Sequence, residues 1–313
     1  MSKSRSRIAI LGVGSVGSAI ALCLILNPVA SEILLVDPNT EQRDAQVKDL
    51  EDAAGTVGGG AVRIRAGSHK EAGQCDIVVM SAGAKQKQGE SRTDLLGRNL
   101  AILESATNDM KPFREDIIML LVANPVDVLT YFAQEFSGLP KEQVIGSGTF
   151  LDTARLRGIL ASKIGVDASS VDAYVLGEHG ESQMVAWSCV SIGAIPLDQC
   201  VPDGTTIDRK AIATETKNKA TDIINAKGAT AYGIGALTAA ICKSILFDQR
   251  NVRPISHWVK ELECCLSVPV VLGRKGVIRS LKMPLSQEEK HELDKSAESL
   301  KEMLAEAKKS QKK

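Results

Sequence analysis

The segment Gly177-Glu178-His179-Gly180-Glu181-Ser182 places a histidine in a polar turn directly after the apolar Tyr174-Val175-Leu176. Imidazole titrates near neutral pH, so His179 could give and take a proton during a reaction. Of the other three histidines, His291 falls on a charged C-terminal helix pattern, and His69 and His257 sit in segments without further chemical groups. A histidine in such a turn could equally be structural. Asp152 and Arg155 are three residues apart on a predicted helix and so share a face. The carboxylate could orient an imidazole and stabilise its cation, while the guanidinium could clamp a substrate carboxylate through two parallel hydrogen bonds. They could also be a plain surface ion pair. Arg92, in a polar stretch with Lys85, Lys87 and Glu90, could polarise a carbonyl in a dry site or be a solvated cation.

A second constellation lies near the start. Gly12-Val13-Gly14-Ser15-Val16-Gly17 follows the apolar run Ile8 to Leu11 and opens an apolar helix through Ala19, Ile20 and Leu24. Glycines at these spacings allow a tight turn, close approach of backbone to a pyrophosphate, and close helix–strand packing. The helix N-terminus adds free N–H groups and a positive dipole end. Asp37, about 20 residues on, ends the next apolar run, where a carboxylate can accept from a ribose 2′-hydroxyl and repel a 2′-phosphate. This predicts NAD rather than NADP as cofactor, with Gly12, Gly14, Val16, Gly17 and Asp37 as candidate contacts. Two more turns, Ser81-Ala82-Gly83-Ala84 and Val122-Ala123-Asn124-Pro125, each end an apolar run. Ligands of open α/β sheets bind at the carboxyl ends of strands, so Gly83, Ala84, Val122 and Asn124 join the list.

These residues need elements to hold them. Ile8–Leu11, Ile33–Val36, Ile77–Met80 and Ile117–Val122 are continuous apolar strands separated by helical segments, the pattern of a parallel sheet covered on both faces. Val144-Ile145 is expected to add an edge. The expected fold is α/β: an N-terminal Rossmann doubly wound domain over residues 1–146, then an α+β substrate domain over residues 147–313. In the second half, Val185–Ile192 and Val268–Leu272 are expected to contain strands. Ser286 and Glu289 match a capping box at the start of a final helix whose Leu293, Ala297, Leu300 and Leu304 form one apolar face.

The chain has 313 residues, 38 basic and 38 acidic, so no net charge draws it to nucleic acid. No apolar run reaches the roughly 18 residues that span a bilayer. The basic start is followed by a glycine-broken run unsuited to export, so a cytoplasmic location is expected. Seven scattered cysteines without a C-x-x-C pair argue for reduced thiols and against a metal site. No tyrosine has a lysine four residues later, which speaks against a short-chain dehydrogenase.

Gly177-Glu178-His179-Gly180, Leu151-Asp152-Thr153-Ala154-Arg155, Asn124-Pro125-Val126-Asp127 and Gly89-Glu90-Ser91-Arg92 resemble, in the same chain order, four signature blocks of the lactate/malate dehydrogenase family. With the glycine loop and Asp37 the resemblance spans nearly the whole chain. It implies an NAD-dependent L-2-hydroxy-acid dehydrogenase. By this resemblance His179 is the proton donor and acceptor, Asp152 its partner, and Arg155 the clamp on the substrate carboxylate. Arg92 rides on a mobile loop, roughly Gly83 to Gly97, and polarises the keto oxygen. Asn124 bonds near the reacting carbonyl, and Ser147 and the Gly83-Ala84 turn seat the cofactor. It also implies a homo-oligomer, expected to be a tetramer.

One loop position of that family selects the substrate. Here it is Gln86, flanked by Lys85 and Lys87, and Thr230 lines the same pocket. A neutral side chain leaves the second carboxylate of oxaloacetate without a cation, a cost of several kcal/mol in a desolvated pocket. Pyruvate is the expected 2-keto acid and (S)-lactate the product. The alternatives are malate or another 2-hydroxy acid, and, from a different class, a non-catalytic NAD-binding sensor. Arg157 matches an arginine that binds fructose 1,6-bisphosphate in some relatives, but Asp172 stands where they have a histidine, so that activation is not expected.

Overall fold

The computed structural model describes residues 6–56, 62–84 and 92–311. Its first half runs β1 (Arg7–Leu11), α1 (Ser15–Leu26), β2 (Glu32–Val36), α2 (Thr40–Thr56), β3 (Arg63–Ala66), α3 (His69–Ala72), β4 (Ile77–Met80), α4 (Arg92–Met110), β5 (Ile118–Leu121), α5 (Val126–Ser137) and β6 (Val144–Gly146). The second half opens with α6 (Phe150–Ile164) and the short strands β7 (Val171–Asp172), β8 (Val175–Leu176), β9 (Met184–Val185), β10 (Ser191–Ile192) and β11 (Ile195–Pro196). It continues with α7 (Arg209–Lys227), α8 (Tyr232–Leu246), β12 (Asn251–Val259), β13 (Cys264–Gly273), β14 (Gly276–Ser280) and α9 (Gln287–Gln311).

β1 to β6 pair in parallel, in the spatial order β3-β2-β1-β4-β5-β6 of a doubly wound sheet. Alternate side chains explain why their runs are apolar throughout. Ile8, Ile10, Ile33, Leu35, Val79 and Leu120 face α1 and α8. Ala9, Leu34, Val78, Met80 and Met119 face the opposite layer of α4, α5 and α9. Strand order reverses beside β1, between it and β4, so the glycine loop and the Ser81–Ala84 turn border one crevice.

β6 is not an edge, as Val144-Ile145 had suggested. Gly146 pairs with Ser256 of β12, and β12, β13 and β14 extend the sheet antiparallel to nine strands. A side chain on Gly146 would strike Thr130, Val126 and Ser256, so glycine is what lets β12 approach. A smaller core of Leu156, Leu160, Val171, Val175, Val190 and Ile212 holds α6 and α7 against the short strands. Among the described residues no helix is long and apolar enough to cross a membrane.

The capping box of the last helix is formed: Ser286 N–H donates to Glu289 Oε2 at 2.9 Å, and Glu289 N–H to Ser286 Oγ at 3.2 Å. Glu289 Oε1 also accepts from Ser188 N–H at 2.8 Å, which ties the tail to the segment after His179. Ala297, Leu300, Leu304 and Ala307 are buried against α4 and α5. Leu300→Ala is therefore expected to lower the unfolding free energy by about 3 kcal/mol. Glu302→Ala, on the exposed side, should change it by less than about 0.5 kcal/mol. Urea unfolding of both variants checks this; equal losses would place the packing face elsewhere.

Candidate active site

The glycine loop is braced by the protein on three sides. Gly12 N–H donates to Val36 O at 2.9 Å, Val13 N–H to Asp37 Oδ2 at 2.9 Å, and Ser81 Oγ to Gly12 O at 2.8 Å. Gly12 has φ of +86°, and a Cβ there would lie 2.6 Å from the Ala82 backbone; at Gly17 it would collide with the Gly12 carbonyl oxygen. The protein's own packing thus dictates these two glycines. Gly14 differs: its φ is −70° and a Cβ would meet only open space. Room for an approaching ligand is one reason for glycine there, and its place at the helix N-cap is another. Gly14 is also the N-cap of α1 without a side-chain cap, which leaves N–H groups for a phosphate. The residues fit a dinucleotide. Asp37 Oδ1 accepts from Asn39 N–H at 2.8 Å, and each carboxylate oxygen retains a lone pair for a ribose hydroxyl. Val16 packs on the core behind the loop.

Asn99 of α4 is a residue that sequence reasoning missed. Its Oδ1 accepts from Ala84 N–H at 2.7 Å and its Nδ2 donates to Asn124 O at 2.9 Å. It thereby joins the Gly83-Ala84 turn to the Asn124 turn, and buried Val122 precedes the latter. A polar residue inside an amphipathic helix gave no signal of this. Ser147 is buried after β6, with its N–H on Leu121 O at 2.8 Å.

α6 carries Asp152 and Arg155, and neither is at the surface: they are 1% and 8% exposed. Arg155 Nη1 donates to Asp152 Oδ1 at 3.0 Å, while Asp152 Oδ2 is 2.7 Å from His179 Nδ1. One buried carboxylate so holds both side chains, one on each oxygen, and among the described residues Nε2 of the imidazole has no hydrogen-bond partner. Burial alone would lower the His179 pKa. The hydrogen bond and charge of Asp152, with the charge of Asp127, outweigh it and raise the pKa above the ordinary value. Burial likewise acts to raise that of Asp152, but His179 and Arg155 pull it below the usual range.

The turn bearing His179 is fixed through three successive backbone groups. Gly177 exchanges both backbone hydrogen bonds with Ser267 of β13 at 2.9 Å. Glu178 N–H donates to Ser296 Oγ of α9 at 2.8 Å, and His179 N–H to Asp127 Oδ2 of α5 at 2.7 Å. Gly177 has φ of +87°, and a Cβ on it would press on Ser296 at 2.6 Å, so a glycine precedes Glu178-His179. Asp127 brings the Asn124 segment to this turn.

Thr230 precedes α8, whose Gly233 lies against Leu151, next to Asp152. No hydrogen bond joins Thr230 to the Asp152 group among the described residues. Gln86 lies outside the described residues, as does the side chain of Arg92. The expected loop to Gly97 is shorter: α4 already starts at Arg92, because Leu96, Leu100 and Leu103 give it an apolar face.

Gly14→Ala should leave the unfolding free energy within about 0.5 kcal/mol of wild type. NADH affinity, read by fluorescence titration, should fall at least tenfold. Unchanged affinity would mean that nothing approaches the loop at Gly14.

Comparison with known proteins agrees along the chain. Residues 6–146 match the lactate/malate dehydrogenase NAD binding domain, and residues 149–311 the lactate/malate dehydrogenase alpha/beta C-terminal domain. The L-lactate dehydrogenase A of Rhizopus oryzae is 47% identical over 296 residues, covering 95% of this chain and 91% of that one. The L-lactate dehydrogenase of Acetivibrio thermocellus is 39% identical over 306 residues, 95% and 96% of the two chains. Among solved structures, a lactate dehydrogenase from a Medee basin deep-sea metagenome library superimposes with a TM-score of 0.93 at 34% identity, covering 97% of this chain and 100% of that one. The minor L-lactate dehydrogenase of Enterococcus mundtii gives 0.91 at 34% identity, with 97% and 98% covered. With its glycine loop, its Asp152–His179 pair and full-length matches to both domains, the chain belongs to the lactate/malate dehydrogenase family.

Proposed function

We propose that this chain is an L-lactate dehydrogenase that interconverts pyruvate and (S)-lactate. The observation that carries the reading is the buried Asp152 carboxylate bonded at once to His179 and Arg155. It sets a proton donor and a carboxylate clamp side by side, as reduction of a 2-keto acid requires.

NAD, when bound, supplies and takes up the hydride. Gly12, Gly14, Val16, Gly17, Asp37, Gly83, Ala84, Val122, Asn124 and Ser147 are the residues proposed to hold it. Arg155 uses Nη1 on Asp152, and its remaining N–H donors face the substrate carboxylate in a bidentate pair. His179 protonates the carbonyl oxygen as charge develops there, and Asp152 stabilises the imidazolium before and the imidazole's orientation after. Arg92 polarises the same oxygen, and Asn124 donates to it. In the reverse direction, the neutral imidazole removes the hydroxyl proton of lactate. Residues 1–146 serve as the NAD-binding domain and residues 147–313 as the substrate domain. A homotetramer in the cytoplasm is the assembly and location we propose.

Specificity rests on Gln86 and Thr230, neutral side chains that offer no cation to a second carboxylate. Steady-state NADH oxidation with pyruvate and with oxaloacetate tests this. Wild type should prefer pyruvate by a hundredfold or more in kcat/KM, since one unpaired buried carboxylate costs several kcal/mol (on the order of 3). Gln86→Arg should move the preference toward oxaloacetate. A wild-type preference for oxaloacetate would instead assign the second carboxylate to Lys85 or Lys87.

A further inference from the structure

Asp127 follows Asn124 by three residues and is 3% exposed. It sits in the first turn of α5, where the helix N-terminus favours a negative charge. Its Oδ2 accepts the main-chain N–H of His179 at 2.7 Å, across 52 residues of sequence. Ser256 of β12 faces the same carboxylate, yet its hydroxyl and Asp127 Oδ1 are both buried without a hydrogen-bond partner among the described residues. No arginine or lysine pairs with Asp127 there either. A buried carboxylate without a cation is unfavourable by itself, and a neutral asparagine could accept the same N–H. The charge therefore calls for a reason beyond the hydrogen bond, and the ring of His179, whose charge acts on Asp127, is a group that can become a cation.

We propose that Asp127 is a positioning residue for proton transfer: it fixes the main chain of His179 and sets a second buried negative charge beside the imidazole that Asp152 already holds. The proposal rests on the pyruvate-reduction reading above. The two carboxylates divide the work. Asp152 binds Nδ1 and fixes the ring, and Asp127 fixes the backbone from which the ring extends. Both charges favour the imidazolium, which is the form that delivers the proton.

The surroundings are consistent with this division. Burial pushes Asp127 up to about 6, against the lowering effects of the His179 N–H and the His179 charge, while Glu178 raises it. Cys264 and Cys265 of β13 also face it, and burial keeps both thiols neutral. His179 in turn is faced by Asp152 and Arg155 of α6 and by Asp127 of α5. With its carboxyl at about 6, Asp127 carries its charge at neutral pH and above.

Asp127→Asn keeps an acceptor for the His179 N–H and removes the charge. Pyruvate reduction needs protonated His179, so kcat/KM falls as pH rises through the histidine pKa. Removing a nearby negative charge lowers that pKa, and the decline should begin about one pH unit lower than in wild type. NADH affinity should be unchanged. Asp127→Ser, with a smaller acceptor, should show the same shift and serves if Asn disturbs folding. An unmoved pH profile in either folded variant, or loss of NADH binding together with activity in both, assigns Asp127 to the scaffold and overturns the proposal. A wild-type enzyme inactive on pyruvate would instead overturn the functional reading on which it rests.

Discussion

Everything at this site depends on the burial of one charge. The Asp152 carboxylate is 1% exposed, and an ionised group so far from water is unfavourable unless it is paired and hydrogen-bonded. Arg155 and His179 supply that pairing, one on each oxygen. The arrangement is stable only while both partners remain in place, so the requirement of the buried charge and that of the proposed proton transfer coincide. The sign follows from the shifts. The contribution of Asp152 is present above the ordinary carboxylate pKa and is lost as pH falls through its lowered value. That of His179 is present below the ordinary imidazole pKa and is lost as pH rises through its raised value.

Holding Asp152, Arg155 and His179 in place takes a rigid frame, and the nine-stranded sheet provides it. β6 leads through Ser147 into α6, and β12 pairs with β6 at the point where Gly146 leaves room. β13 then reaches the histidine turn through Ser267, whose Oγ also accepts from Thr149 N–H at 3.0 Å. The C-terminal helix closes the frame by packing on α4 and α5 and offering Ser296 to Glu178. The tail's packing therefore bears on the turn that carries His179.

The parallel half of the fold was legible because strands buried on both faces are written as uninterrupted apolar runs, as in Ile77–Met80. β3 was not: Arg63-Ile64-Arg65-Ala66 is an edge strand with charged positions, and β12 contains Arg253, Pro254 and His257, which break the apolar pattern. β6 was read as an edge since nothing in three residues reveals a partner more than a hundred positions away. At the site, resemblance to family signature blocks singled out Asp152, Arg155 and His179, where spacing alone left structural readings open, and the structure brings the three together. Asp127 and Asn99 escaped because their partners are backbone groups, and no residue type marks a backbone group as needing one. The alternative of a surface ion pair between Asp152 and Arg155 fell to burial, a property that i,i+3 spacing alone does not encode.

The most direct test of this account is Asp152→Asn, with pyruvate reduction followed as a function of pH and NADH binding measured alongside. The side chain keeps its shape and an acceptor while the charge is lost. The account predicts a fall in kcat of at least about a hundredfold, a decline in kcat/KM that begins at lower pH, and unchanged NADH affinity. A variant with wild-type kcat and a wild-type pH profile would contradict it, because His179 would then hold its proton without the buried carboxylate.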